Sequence, residues 1–260
     1  MKRGMIEPDD GYYFGLGAFE TIAVEENRPL FLKEHLERLG QALKTLGLSD
    51  GARNGALFVT AGQVDSWLDT HPVDRGALKI VVSQKNILFL ERGNPYTEAH
   101  YVQGFQAAVS EIRRNSTSPF TYIKSLNYGD CILEKRRAKE TGIDEPLFLN
   151  ERNELCEGAV SNLFFVGKDG TVATPKVSCG LLPGVVRRVL LEHGMAGEAV
   201  ILPEELGSFS EAFLTNSLMG IMPVSKIIGQ GGEVISFGKR TVTEQIRRFY
   251  EAVKREEMMR

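Results

Sequence analysis

Thr121 to Asp130 reads TYIKSLNYGD, and the setting of Lys124 within it decides what the rest of the chain is for. Tyr122 and Ile123 favour extended backbone, so Lys124 is expected where a short strand ends and a polar connection begins. Most lysines are exposed, flexible cations. One held at a strand edge in a partly desolvated pocket loses its proton and becomes a nucleophile.

Outward from that lysine the chain alternates strands and helices. Upstream, Ala18 to Val24 reads as a strand, Leu32, Leu36, Leu39, Ala42 and Leu43 recur at helical spacing, and Leu78 to Val82 is a strand. Ile87 to Leu90 follows the polar turn Gln84-Lys85-Asn86, which predicts an antiparallel hairpin. Downstream, a helix is predicted over 129–141 and strands over 146–149, 154–157, 162–166 and 171–173, with turns at 150–153 and 167–170. LLPGVVRRVLLEHG is predicted to open a helix at Pro183 and close it at Gly194, and 239–258 carries an amphipathic stripe of Val242, Ile246, Phe249 and Val253.

Between Arg113 and Phe120 the sequence turns polar and loses its periodicity, and Pro119 disfavours helix in the residue before it. This predicts an amino-terminal α/β domain over 1–112, a linker over 113–120 and a second domain over 121–260. The fold class is α+β, built of two α/β domains. A chain of 260 residues with 42% hydrophobic residues has enough apolar surface for that.

Charge and composition exclude several classes of function. Lys and Arg number 31 against 34 Asp and Glu, a formal charge of -3, so no basic field is present to draw nucleic acid or anionic lipid. The amino terminus lacks the apolar core of a signal peptide and no later run is long enough to span a bilayer, which makes the cytoplasm the expected location and a small molecule the expected partner. Cys131, Cys156 and Cys179 are too widely spaced for a thiolate metal site or a disulfide framework. His35, His71, His100 and His193 show no ligand spacing, so no metal is expected.

Six segments, in order, carry a family resemblance: FGLGAFET (14–21), HLERL (35–39), IKSLNY (123–128), EGAVSNLFFV (157–166), LLPGVVRR (181–188) and LTNSLMGIMPV (214–224). Together they resemble the fold type IV pyridoxal-phosphate (PLP) enzymes. That group includes branched-chain aminotransferases, D-amino-acid aminotransferases and 4-amino-4-deoxychorismate lyases. The resemblance implies the D-amino-acid aminotransferase-like fold and pyridoxal 5'-phosphate as cofactor. It also implies a homodimer with each active site near the interface, and a short first strand that is reduced or missing before GYYFGLGAFET.

By the same resemblance Lys124 holds the cofactor as an internal Schiff base and then moves the substrate proton as acid and base. Glu157 pairs with the pyridine nitrogen and keeps it protonated. Tyr128 donates to the ring hydroxyl or, alternatively, packs at the start of the following helix. Arg38 grips the phosphate with paired donors, Val185 and Val186 present backbone N–H groups to it at a helix start, and Leu182 packs on the ring. Ser217, with Asn216 beside it, forms a second phosphate-binding turn, while Ser161 and Asn162 line the strand after Glu157.

The reaction stays divided between two members of the group. TNSLMG resembles the lyases, in which asparagine followed by a small residue and leucine is typical, and implies conversion of 4-amino-4-deoxychorismate to 4-aminobenzoate and pyruvate. IKSLNY resembles the aminotransferases as well, and a branched-chain or D-amino-acid aminotransferase using 2-oxoglutarate is the alternative. VVSQKNILFLERGNPY (81–96) lacks the arginine- and glycine-rich segment of several relatives, so the sequence identifies no anchor for a substrate carboxylate.

Overall fold

The computed structural model describes residues 6–48 and 59–259. They divide into two compact units, one running to Asn94 and taking in Ile123–Tyr128, the other comprising Pro95–Tyr122 and the chain from Gly129 onward.

The first unit contains helix α1 (Asp10–Phe14), strands β1 (Gly17–Glu25) and β2 (Arg28–Pro29), helices α2 (Leu32–Thr45) and α3 (Ala61–Thr70), and strands β3 (Arg75–Ser83) and β4 (Ile87–Arg92). The strands form one antiparallel sheet in the order β2-β1-β3-β4. Glu26 and Asn27 both take positive φ, 50° and 61°, which matches the twist of the two strands they join. Strand alternation sorts the side chains by face. Ala18, Ile22 and Val24 of β1 with Leu78, Ile80 and Val82 of β3 meet Leu39, Ala42 and Leu43 of α2 and Val64 and Leu68 of α3 in one core. Phe19, Thr21 and Lys79 have the opposite parity and stand on the other face. Helix α3, which was not expected from the sequence, starts at a capping box formed by Thr60 and Gln63.

The second unit contains α4 (Glu98–Gln103), β5 (Phe105–Arg114), α5 (Gly129–Glu140), β6 (Glu145–Asn150), β7 (Leu155–Gly158), β8 (Asn162–Val166), β9 (Val172–Pro175), α6 (Val185–Glu192), β10 (Gly197–Ala199), β11 (Glu211–Asn216), β12 (Gly220–Ile228), β13 (Val234–Ser236) and α7 (Thr241–Met258). Its sheet runs β10-β9-β8-β11-β12-β5-β6-β7, and because β7 also pairs with β8 the strands from β8 through β7 close into a ring. Phe105, Ala107, Val109, Leu147, Leu149, Leu163, Leu214 and Met222 lie together in the core of this sheet.

Three expectations need correcting. The division falls at Asn94–Pro95 and not at a linker over 113–120, because β5 is paired in parallel with both β12 and β6 and so belongs to the second sheet. The polar run after it is a folded turn: Asn115 accepts from Thr117 N at 2.9 Å and Thr117 Oγ1 at 2.7 Å, Thr121 Oγ1 donates to Asn115 O at 2.7 Å, and Pro119–Tyr122 makes a short 3-10 turn. Tyr122 therefore ends that turn and does not lead a strand into Lys124. Helix α6 begins at Val185, with Gly184 as its N-cap, two residues later than Pro183.

Candidate active site

The expected site residues divide between the two units. In the first, Lys124 is fixed through its backbone: Phe19 N donates to Lys124 O at 2.8 Å, Ala18 and Ser125 form an antiparallel bridge, and Leu126 N donates to Gly17 O at 2.8 Å. The segment thus adds a few residues of pairing to the free edge of β1, which sets the lysine opposite Phe19. Its Nζ lies 4.4 Å from the centroid of the Phe19 ring and 4.8 Å from that of Tyr128. The two rings meet edge to face, 5.3 Å apart at 90°. An amine against two ring faces is partly stripped of water while still stabilised as a cation.

On the helix-covered face of the same sheet stands Glu20, completely buried where an apolar residue is expected. Arg38 explains it. Its Nε donates to Glu20 Oε1 and its Nη2 to Glu20 Oε2, both at 2.7 Å, and His35 Nδ1 contacts Oε2 at 2.7 Å. His35 and Arg38 lie three residues apart on α2 and so share the face turned to the sheet. Burial pushes the Glu20 carboxyl up, but the Arg38 guanidinium and then His35 more than reverse this and hold it well below the usual carboxylate range. Burial pushes His35 down, against the pull of Glu20, and the charges of Arg38 and Lys124 add to the lowering. A paired-donor fork locked on a buried carboxylate gives Arg38 a fixed orientation.

Sequence reading assigned neither Glu20 nor His35 a role at the site, although strand parity and the three-residue spacing were both readable. Both groups have folded pKa values below their ordinary ones, 4.5 for Glu20 and 6.5 for His35, so the unfolded chain binds more protons and stability falls with pH. The loss begins for His35 as pH drops through 6.5 and for Glu20 as it drops through 4.5. Glu20→Gln is expected to cost about 3–5 kcal/mol at pH 7, because it strands a buried guanidinium. Urea midpoints measured from pH 7 down to pH 3 check this: the variant curve should be flatter than the parent's below pH 4.5. Equal midpoints at pH 7 would refute it.

In the second unit Glu157, on β7, is also buried. Its Oε1 takes Arg114 Nε at 3.0 Å and pairs with Arg114 Nη2, while its Oε2 accepts Leu182 N–H at 3.0 Å. Leu182 O accepts Asn162 Nδ2 at 2.9 Å, so Leu182 is clasped from both sides of its backbone. A Cβ on Gly184 would collide with Asn162 Oδ1, which is why glycine precedes α6. The first N–H groups of α6, at Val185 and Val186, have no acceptor within the helix and no side chain caps them. Ser161 Oγ donates to Glu145 Oε1 at 2.7 Å. Arg114 was expected in a linker; its place on β5 makes it the partner of Glu157.

The turn after β11 is organised by Asn216. Its Oδ1 accepts from Leu218 N and Met219 N, both at 2.9 Å, and its Nδ2 donates to Tyr96 OH and Val160 O, both at 3.1 Å. Two acceptances and two donations fill the capacity of an amide side chain. The side chain of Asn216 thus builds the turn, and Ser217 carries the hydroxyl of the pair. Thr215, just before it, is buried with Oγ1 lacking a hydrogen-bond partner among the described residues. The first unit thus presents an amine in an aromatic clamp and a locked guanidinium, and the second a buried carboxylate, an uncapped helix start and an orphaned hydroxyl; each is a group whose chemistry fits one part of a phosphorylated pyridine aldehyde.

The model of the family described as amino-transferase class IV matches residues 17–227. The chain is 27% identical to the aminodeoxychorismate lyase of Bacillus subtilis (strain 168), with 92% of this chain and 86% of that one covered. It is 26% identical to the D-alanine aminotransferase of Staphylococcus epidermidis, over 94% of this chain and 90% of the other. Among solved structures, the 4-amino-4-deoxychorismate lyase of Pseudomonas aeruginosa superposes with a TM-score of 0.77 at 24% identity, covering 96% of each chain, and shares the fold.

Proposed function

Because the chain belongs to the amino-transferase class IV family, whose enzymes work with pyridoxal phosphate, we propose that it is a lyase converting 4-amino-4-deoxychorismate to 4-aminobenzoate and pyruvate. The observation that carries this reading is the turn at Asn216-Ser217-Leu218. Its asparagine is the scaffold of the loop, and asparagine, a small residue and leucine at this point are the pattern of the lyase members. The Bacillus subtilis relative, named a lyase and matched over most of both chains, supports it.

Pyridoxal phosphate, when bound, supplies an electron sink for charge left by proton removal. In this reading Lys124 holds it covalently and takes the proton from the ring carbon that bears the substrate amine. The carbon–oxygen bond to the enolpyruvyl group breaks, the enol leaves and becomes pyruvate, and the ring becomes aromatic. No second substrate is consumed. Glu157, braced by Arg114 and Leu182 N–H, keeps the pyridine nitrogen protonated. Arg38, the N–H groups of Val185 and Val186, and Ser217 hold the phosphate. Tyr128 orients the ring hydroxyl, Leu182 packs on the ring, Asn162 supports the loop that Leu182 belongs to, and Ser161 lines the strand after Glu157.

The enzyme is further proposed to act in the cytoplasm as a homodimer with its active site near the interface, supplying 4-aminobenzoate for folate synthesis. No helix among the described residues is long and apolar enough to cross a membrane.

The test is an assay of 4-amino-4-deoxychorismate alone beside one of amino donors with 2-oxoglutarate. Equal amounts of 4-aminobenzoate and pyruvate, without any keto acid added, are expected from the first. Glutamate formed only in the second would overturn the lyase reading and establish a branched-chain or D-amino-acid aminotransferase, the alternative that the Staphylococcus epidermidis relative favours.

A further inference from the structure

The face of the first unit's sheet turned away from α2 and α3 carries two cations whose positions follow from register. Lys79 on β3 stands opposite Thr21 of β1, and Arg92 on β4 stands opposite Ala77, which places Arg92 diagonally beside Lys79 on the same face. Lys79 is half-buried although it sits on a central strand. Its Nζ lies 4.6 Å from the centroid of the Phe19 ring, and Lys124 Nζ lies 4.4 Å from the same centroid. The two amino groups are therefore separated by no more than the sum of those distances and share one ring.

A half-buried ammonium is ordinarily paired. Among the described residues no carboxylate pairs with Lys79 or Arg92. Like charges on adjacent strands are unfavourable, and burial followed by the repulsion of Arg92 lowers the affinity of Lys79 for its proton. An anion bound beside Lys79 would remove both penalties. The Phe19 ring accounts for one side of the ammonium only, and Thr21 offers a hydroxyl across the strand pair.

We propose that Lys79, with Arg92 beside it, is the anchor for a carboxylate of the substrate whose amino group reacts at Lys124. The assignment rests on the enzyme being one that acts on an amino acid or an amino carboxylic acid, as proposed above, but not on the choice between lyase and aminotransferase. The anchor's main cation lies just upstream of the segment 81–96, inside β3, with Arg92 of that segment beside it.

The experiment measures binding of two acid–amide pairs to the cofactor-loaded enzyme by calorimetry: 4-aminobenzoate with 4-aminobenzamide, and 4-methylpentanoate with 4-methylpentanamide. The parent is expected to bind at least one acid about tenfold or more tightly than its amide, the scale of one desolvated charge contact. Lys79→Met should abolish that preference and leave the amide's affinity within about twofold, and Lys79→Arg should restore most of it. Unchanged visible absorbance in both variants shows that the cofactor remains in place. A parent that shows no preference for either acid, or a Lys79→Met variant that keeps the full preference, overturns the proposal. Failure of the lyase reading is recognised separately, by the absence of 4-aminobenzoate in the turnover assay while the acid preference still depends on Lys79.

Discussion

Lys124→Ala is expected to lose covalent cofactor and about 10³-fold or more in turnover, because one amine both holds the cofactor and moves the proton. The purified parent should be yellow, and borohydride should fix the cofactor on the peptide that contains Lys124, detectable by mass. The variant should give no such peptide. The aromatic clamp sharpens the expectation, since Phe19 and Tyr128 leave Lys124 in a setting unlike that of a surface lysine. Lys79 provides the internal control: its amine lies against the same Phe19 ring, so a label that appears on Lys79 in the parent would transfer the covalent role to the wrong lysine and refute the assignment. A colourless parent that takes up no pyridoxal phosphate would remove the whole scheme.

Glu157→Gln is expected to keep the cofactor and lose about 10²–10³-fold in kcat, because an amide cannot keep the pyridine nitrogen protonated as charge develops. The structure adds a second consequence. Glu157 presents one oxygen to Arg114 and the other to Leu182 N–H, and a glutamine has an acceptor for only one of them. Whichever donor is abandoned is buried or nearly so, at a cost of about 1–3 kcal/mol. Loss of kcat should therefore come with a lower thermal midpoint but an unchanged cofactor content. Turnover within a factor of about two of the parent would show that the carboxylate has no role beyond the fold, given the size expected for a group that acts in the transition state.

Much of this architecture could be read one element at a time. The alternation of Ala18, Ile22 and Val24, the stripe on 32–43 and the polar Gln84-Lys85-Asn86 turn each encode local structure through side-chain period and turn chemistry. They became β1, α2 and the β3–β4 hairpin as expected. Phe105, Ala107 and Val109 also alternate, but the parallel pairing of β5 with β12 and β6 joins residues more than a hundred positions apart in the first case, which no local pattern encodes. The domain division was misplaced for that reason. The polar run at 113–120 looked like a linker because its side chains bond to their own turn, and a sequence does not distinguish that from bonding to water.

The sequence by itself determined the family and its cofactor, because six short segments had to keep their residue types in order around Lys124 and Glu157. It also determined that a helix would follow Pro183-Gly184, though its first turn begins two residues later than Pro183, since glycine and proline act through the backbone they occupy. Only the tertiary structure decided what those residues touch. Register between β1 and β3 put Phe19 between Lys124 and Lys79, the packing of α2 on β1 put His35 and Arg38 on Glu20, and the place of β5 in the second sheet gave Glu157 its arginine. A charge has no fixed partner until distant strands pair, because the energy of an ion pair depends on separation and on burial, and neither exists in the chain before it folds.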